Sequence, residues 1–161
     1  MSINENELRK VMRNWTSGVS VVTSHYEGIN HGMTVSSFTS VSLNPPLVTI
    51  SLMNSSRTLK LVRRARNFGI TILSIDQVEI SKVFARQESV SDDRFAGIET
   101  FTLTSGALMI KNGLAHMDCK VSEILDFGTN SLIIGEVITA EIGNKSKPLL
   151  YFNQQYHKLQ D

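Results

Sequence analysis

The chain has 161 residues, 41% of them hydrophobic, with a formal net charge of +1, which suits one domain with one sizeable core over residues 1–161. That charge gives no basic footprint for nucleic acid, and no apolar run reaches the about 20 residues that a membrane helix needs. The N-terminus lacks the apolar block of a signal peptide, and a single cysteine, Cys119, excludes an internal disulfide and a CxxC metal site; a cytoplasmic protein is expected.

Residues 5–15 place Leu8, Val11, Met12 and Trp15 at helical spacing, which predicts a short amphipathic helix whose apolar side packs on the rest of the chain. GVSVVTSHYEG (18–28) reads as a strand closing on a Glu27-Gly28 turn. His31 to Ser42 and Leu47 to Met53 read as two more strands, with Pro45 and Pro46 between them as a connection. NSSRTLKLVRRARN (54–67) carries helix-start residues and then Leu59, Val62 and Ala65 on one side, leaving Arg63, Arg64 and Arg66 as a solvated face. A strand at 68–73, a helix at 76–84 and a long polar connection over 86–106 follow. From Leu114 to Ile142 the pattern predicts a long antiparallel hairpin, broken at Phe127-Gly128-Thr129-Asn130. Strands outnumber helices and do not alternate with them regularly, so a mainly β fold, an antiparallel sheet or barrel with added helices, is expected.

Nucleotide-loop, zinc-protease and serine-hydrolase motifs are all missing, and His25, His31, His116 and His157 have no metal-type spacing. Two segments stand out. GMTVSSFTSVSLNPP (32–46) carries hydroxyls at Thr34, Ser36, Ser37, Thr39, Ser40 and Ser42, and its alternation stumbles at Ser36-Ser37. Those groups cannot all face water from one side of a regular strand. SLMNSSRT (51–58) places Asn54, Ser55 and Ser56 before a helix, with Arg57 and Thr58 in its first turn. A helix start exposes N–H groups and partial positive charge, a natural phosphate site. Plain capping by Ser55 or Ser56, with Arg57 in solvent, and a bulge with solvated serines would account for the same residues. The strand LVTIS joins the two segments, so a flat ligand with a phosphorylated tail would use both.

The order SGVSVVT (17–23), HGMTVSSFTSVSLNPPLV (31–48), NSSRT (54–58), VFA (83–85) and LAHMDCKV (114–121) resembles the flavin reductase-like family from about Arg9 to Tyr156. That resemblance implies a Greek-key, FMN-binding split β-barrel of six or seven strands with short flanking helices, forming a homodimer. It implies FMN, or FAD, with Thr34, Val35, Ser36 and Ser37 against the ring. Ser51, Ser55, Ser56 and Thr58 would meet the ribityl chain and phosphate, with Phe84 and Ala85 beside them and Arg57 and Arg86 as charge partners. Many members carry Gly-Asp-His in the hairpin turn, where the histidine is associated with the nicotinamide; this chain has Gly128, Thr129 and Asn130. Asn130 hydrogen-bonds but carries no charge, and a turn residue tolerating a left-handed backbone is the plainer reading of it.

The implied activity is NAD(P)H:flavin oxidoreduction, with NADH or NADPH as co-substrate and reduced flavin passing to a separate monooxygenase component. The flavin carries the hard chemistry, so no catalytic acid, base or metal is expected. A non-enzymatic FMN-binding or electron-transfer protein is the alternative, and a flavoenzyme acting on another small substrate is a third. Cys119 reads as a buried thiol. Tyr151 and Tyr156 either complete the core or lie at a subunit contact.

Overall fold

The fold is described by a computed structural model, which covers residues 2–87 and 93–160. Helix α1 (Glu5–Met12) begins at a capping box: the Asn4 side chain accepts from the Glu7 N–H at 2.9 Å, and the Glu7 carboxylate accepts from the Asn4 N–H at 2.9 Å. Strands β1 (Ser17–Gly18), β2 (Ser20–Tyr26), β3 (Ile29–Val35), β4 (Thr39–Leu43) and β5 (Pro46–Met53) lead to helix α2 (Arg57–Ala65) and strand β6 (Asn67–Ile72). A 3-10 turn (Ile75–Gln77) runs into helix α3 (Val78–Ala85). Strands β7 (Thr100–Thr102), β8 (Leu108–Ile110), β9 (Ala115–Phe127), β10 (Asn130–Ile142), β11 (Leu150–Phe152) and β12 (Gln155–His157) complete the chain.

Seven strands form one antiparallel sheet in the order β3-β2-β6-β9-β10-β5-β4, with small sheets β1-β11-β12 and β7-β8 beside it. The alternation that marks β5 in the sequence is its burial: Val48, Ile50 and Leu52 point inward while their neighbours are more exposed. Those three pack with Val22, Phe68, Ile70, Cys119 and Ile133, and α2 adds Leu59 and Val62 to the same core. A fully buried side chain of this size contributes about 1.5–3 kcal/mol, so α2 is anchored by its apolar stripe. A second cluster, Val19, Val21, Leu73, Phe84, Ile110 and Leu149, seats α3. Gly135 in β10 is dictated by this packing: a Cβ there would lie 2.5 Å from Phe68 Cζ.

The two edge strands, β3 and β4, are consecutive in the chain and joined by Ser36, Ser37 and Phe38. The expected single strand from His31 to Ser42 is therefore two, and the stumble at Ser36-Ser37 is the corner between them. Ser37 explains one of the hydroxyls. Its Oγ accepts from Ser51 N–H and donates to Ser51 C=O, both at 3.0 Å, where β4 no longer runs beside β5. A side chain stands in for a missing ladder partner.

Other expectations are corrected. The helix predicted over 5–15 ends at Met12, and Leu8 (49% exposed), Val11 (61%) and Trp15 (69%) are not packed within the chain, because no described residue covers that side. The polar connection over 86–106 contains β7, whose three residues are too short for a visible period; residues 88–92 of it lie outside the described residues. Arg63 does not merely face solvent: its guanidinium donates to Asp126 and, at 2.9 Å, to Ser131 Oγ. The hairpin break narrows to Gly128 and Thr129, since Phe127 and Asn130 are the first paired residues on either side.

Candidate functional site

At the corner where β3 leaves the sheet, a cavity of about 420 Å³ opens. Its first wall is the end of β3, Met33 to Ser36. Val35 is the last residue of the β2–β3 ladder, paired with Ser20, so Ser36 lies just past it and is exposed. The second wall is Met53 with Ser55 and Ser56 at the start of α2. Ser56 is the N-cap, its side chain accepting from Leu59 N–H at 3.2 Å. The first-turn N–H groups of any helix lack intrahelical acceptors, so this end carries partial positive charge.

The third wall is the C-terminal end of α3, Phe84 to Gln87. Phe84 is buried, with its ring edge-on to Phe95 at a centroid distance of 5.1 Å. It sits against β3 because position 32 is glycine: a Cβ there would come within 3.1 Å of Phe84 Cε1 and 3.0 Å of Val22 O. Val19, Tyr151 and Tyr156 close the remaining side. The two tyrosines face each other across the β11–β12 pair, rings edge to face at 5.5 Å, and Tyr156 Oη lies 2.8 Å from Ser81 Oγ.

Arg94 ties these walls together. It is 3% exposed and lines the cavity. One terminal nitrogen donates to Gly32 O and Phe84 O, both at 3.0 Å, and the other to Arg86 O at 2.7 Å. The guanidinium thus clamps the end of α3 onto β3. Thr34 adds a second tie, its hydroxyl donating to Ser81 O at 2.7 Å, which commits its proton to the scaffold.

Eight of the thirteen residues named from the sequence line this cavity: Thr34, Val35, Ser36, Ser55, Ser56, Phe84, Ala85 and Arg86. The other five stand outside its lining. Ser37 holds the Ser51 backbone, and Ser51 Oγ accepts from Asn130 Nδ2 at 3.3 Å. Thr58 is buried with its Oγ1 2.8 Å from His31 Nδ1. Arg57 lines a separate, smaller cavity with His31, Lys60 and Arg64. Asn130 sits beside the hairpin turn, which is fastened to the α2 start by Asn54: its N–H donates to Thr129 O at 2.9 Å and its side-chain amide to Gly128 O at 3.1 Å. Ser131 Oγ lies 2.6 Å from Asn54 Oδ1 and 2.5 Å from Asp126 Oδ1, so its single proton serves one of them at a time. The Ser131 contact, then Arg63, holds the Asp126 carboxyl below its ordinary value.

Sequence reasoning missed Met33, Met53, Arg94 and the two tyrosines as lining residues. The tyrosines sit at matching positions of a hairpin, a signal open to notice; Arg94 follows a polar stretch with no period and had none.

A family model for the flavin reductase like domain matches residues 12–160. The chain belongs to this family. Within the flavin reductase-like family, the reductase component of 4-nitrophenol 4-monooxygenase/4-nitrocatechol 2-monooxygenase from Rhodococcus opacus is 31% identical over 154 residues, covering 96% of this chain and 80% of its own length. The actinorhodin polyketide dimerase of Streptomyces coelicolor is 31% identical over 160 residues, covering 99% of this chain and 89% of its own. The solved structure of the NADH:FAD oxidoreductase SgcE6 of Streptomyces globisporus, in complex with NAD and FAD fragments, superposes with a TM-score of 0.90 at 30% identity, covering 98% of this chain and 93% of that one. The split-barrel fold expected for the family is the fold observed here.

Proposed function

We propose that this protein is an NADH-dependent flavin reductase that binds its flavin in the cavity between β3, α2 and α3 and supplies reduced flavin to a separate monooxygenase component. The observation that carries the reading is the join of two unlike surfaces in one cavity. The walls from Met33, Val19, Phe84 and the tyrosines are apolar or aromatic, whereas the Ser55-Ser56 end is the positive start of a helix. A flavin has that division, a flat ring and a phosphate-bearing tail, and the cavity falls within the usual size range of small-molecule sites, about 300–1,000 Å³.

The chain's residues divide the work accordingly. Met33, Phe84 and Val19 exclude water from one face of a flat ring. Ser36, past the last ladder pair, offers a hydroxyl and backbone groups to a polar ring edge. Ser55, Ser56 and the first turn of α2 take the phosphate, with Arg86 at the rim as a counter-charge. When bound, the flavin supplies the two-electron acceptor chemistry. No side chain has to move a proton for a hydride to pass between two stacked rings, so the protein's contribution is orientation and exclusion of water. Thr34, whose proton is engaged by Ser81 O, belongs to the scaffold and presents its lone pairs and backbone only.

The same reading includes a homodimer. The outward apolar side of α1, with Val41 (53% exposed) and Leu43 (90%) on the edge strand β4, is surface that a second copy would cover. Among the described residues no helix is long and apolar enough to cross a membrane. The dimerase named above supports a second reading, a protein that keeps its flavin and acts on another small substrate.

Steady-state oxidation of NADH with and without added free FMN or FAD tests the proposal. Turnover that rises with added flavin supports a reductase. NADH oxidation no faster than that of flavin alone would leave a carrier.

A further inference from the structure

Ser55 and Ser56 reach the cavity from a tight turn. It runs from Met53 to Ser56 and closes where Ser56 N–H donates to Met53 O at 3.0 Å. Its central residues, Asn54 and Ser55, are exposed, and Met53 is 52% exposed. A turn with so few buried apolar contacts opens easily, so polar contacts have to hold its shape. Asn54 supplies them with three different groups. Its N–H donates to Thr129 O at 2.9 Å and its side-chain amide to Gly128 O at 3.1 Å, which grips two consecutive carbonyls of the β9–β10 turn. Its Oδ1 lies 2.6 Å from the Ser131 hydroxyl.

Ser131 is fully buried near the start of β10, paired with Leu52 of β5. Its hydroxyl stands between Asn54 and the Arg63–Asp126 ion pair. Arg63 donates to Ser131 Oγ at 2.9 Å and also to the Asp126 carboxylate. The carboxylate therefore has a charged donor of its own, and the serine proton is left for Asn54 Oδ1. Arg63 belongs to α2, so the contacts form a closed circuit from the turn to β10, on to α2 and back. Asn54 and Ser131 do not line the cavity themselves.

We propose that Asn54 and Ser131 are positioning residues for the flavin phosphate. They lock the Met53–Ser56 turn so that Ser55, Ser56 and the first N–H groups of α2 converge on one anion. The inference rests on the reading that puts the phosphate at the α2 start, and it adds that a buried serine touching no ligand sets how tightly that end grips. A turn fixed before binding spares the ligand the entropy of ordering it. Loss of the lock weakens the hold on the phosphate and leaves the hold on the ring.

The test compares Ser131→Ala, Asn54→Ala and the double variant with wild type in the full chain, each titrated with FMN and with riboflavin by flavin fluorescence. Wild type should bind FMN more tightly than riboflavin. Ser131→Ala should weaken FMN binding about tenfold and riboflavin binding by less than about twofold. Asn54→Ala should lose at least as much for FMN, and adding Ser131→Ala to it should cost no further factor, because the serine acts through Asn54. Asn54 is exposed, so its variant decides by the same ratio even if Ser131→Ala does not fold, and urea unfolding checks both. Equal losses for FMN and riboflavin would mean general loosening and would overturn the proposal. So would losses that multiply in the double variant, or variants that keep the wild-type ratio. A wild type that binds FMN no better than riboflavin would overturn the phosphate reading itself, so the two failures are distinguishable.

Discussion

Replacing Arg94 by methionine should both destabilise the fold and weaken flavin binding, because one buried side chain shapes three elements. Among the described residues the guanidinium donates to Gly32 O, Phe84 O and Arg86 O. Each bond from a charged donor contributes roughly 1.5–3 kcal/mol net, so the three together represent roughly 4–9 kcal/mol. Those net values already include the guanidinium's loss of water, and methionine restores part of the packing. The balance is a loss of about 3 kcal/mol, a large fraction of the 5–15 kcal/mol stability of a typical domain. Urea unfolding followed by circular dichroism measures it, at an unchanged slope. Flavin affinity, measured under conditions where the variant is fully folded, should also fall, because the Phe84–Arg86 wall is no longer tied to β3. Arg94→Lys keeps the charge but not the fork, and should recover only part of both effects. A loss below about 1 kcal/mol together with unchanged flavin affinity would refute the clamp.

Ser56→Ala removes the α2 cap and should cost about 1 kcal/mol by urea unfolding, with weaker binding of phosphate-bearing flavin than of riboflavin as its functional mark. Gly135→Ala drives a methyl group into the Phe68 ring and should destabilise by about 1–3 kcal/mol in the same assay, with no change at the flavin site. Burial, and secondarily the adjacent Asp118, pushes the Cys119 thiol up to about 12; thiol reagents should label it only as the chain unfolds. Because the unfolded thiol ionises first, its effect on stability is absent below its ordinary value and a loss appears as pH rises from there toward about 12. Asp126 runs the other way. Its carboxyl is held low by Ser131 and Arg63, so its contribution is present above the ordinary carboxylate value and is lost as pH falls through the lowered one. Urea midpoints across the acid range should show Asp126→Asn less acid-sensitive than wild type.

The strands were legible in the sequence wherever burial imposes a period. Val48, Ile50 and Leu52 alternate because one face of β5 meets the core, and the β9–β10 hairpin shows itself because both strands are long. The Ser36-Ser37 disturbance fell beside one wall of the candidate cavity, which Ser36 lines, yet it hid a corner: a serine hydroxyl on the Ser51 backbone is a tertiary contact with no local signature. The apolar side of α1 was read correctly as a pattern and wrongly as packing within one chain, since periodicity records that a face avoids water without recording what covers it. Arg94 was invisible for a related reason. Nothing around it in the sequence distinguishes an arginine in solvent from one holding three carbonyls. Asn130 and Ser51 were named for a ligand, and the structure ties their side chains to each other, fixing the hairpin turn beside the start of α2.

The central claim is a location: the flavin lies where the end of β3 meets the start of α2. Amide hydrogen exchange, measured with and without saturating flavin, tests it most directly, because residues 36–37 and 55 lie outside the regular ladders and helices and exchange readily unless covered. The account predicts that flavin slows exchange at Ser36, Ser37 and Ser55 and along residues 84–87. Flavin binding that leaves all of these amides unchanged, with protection elsewhere, would contradict it.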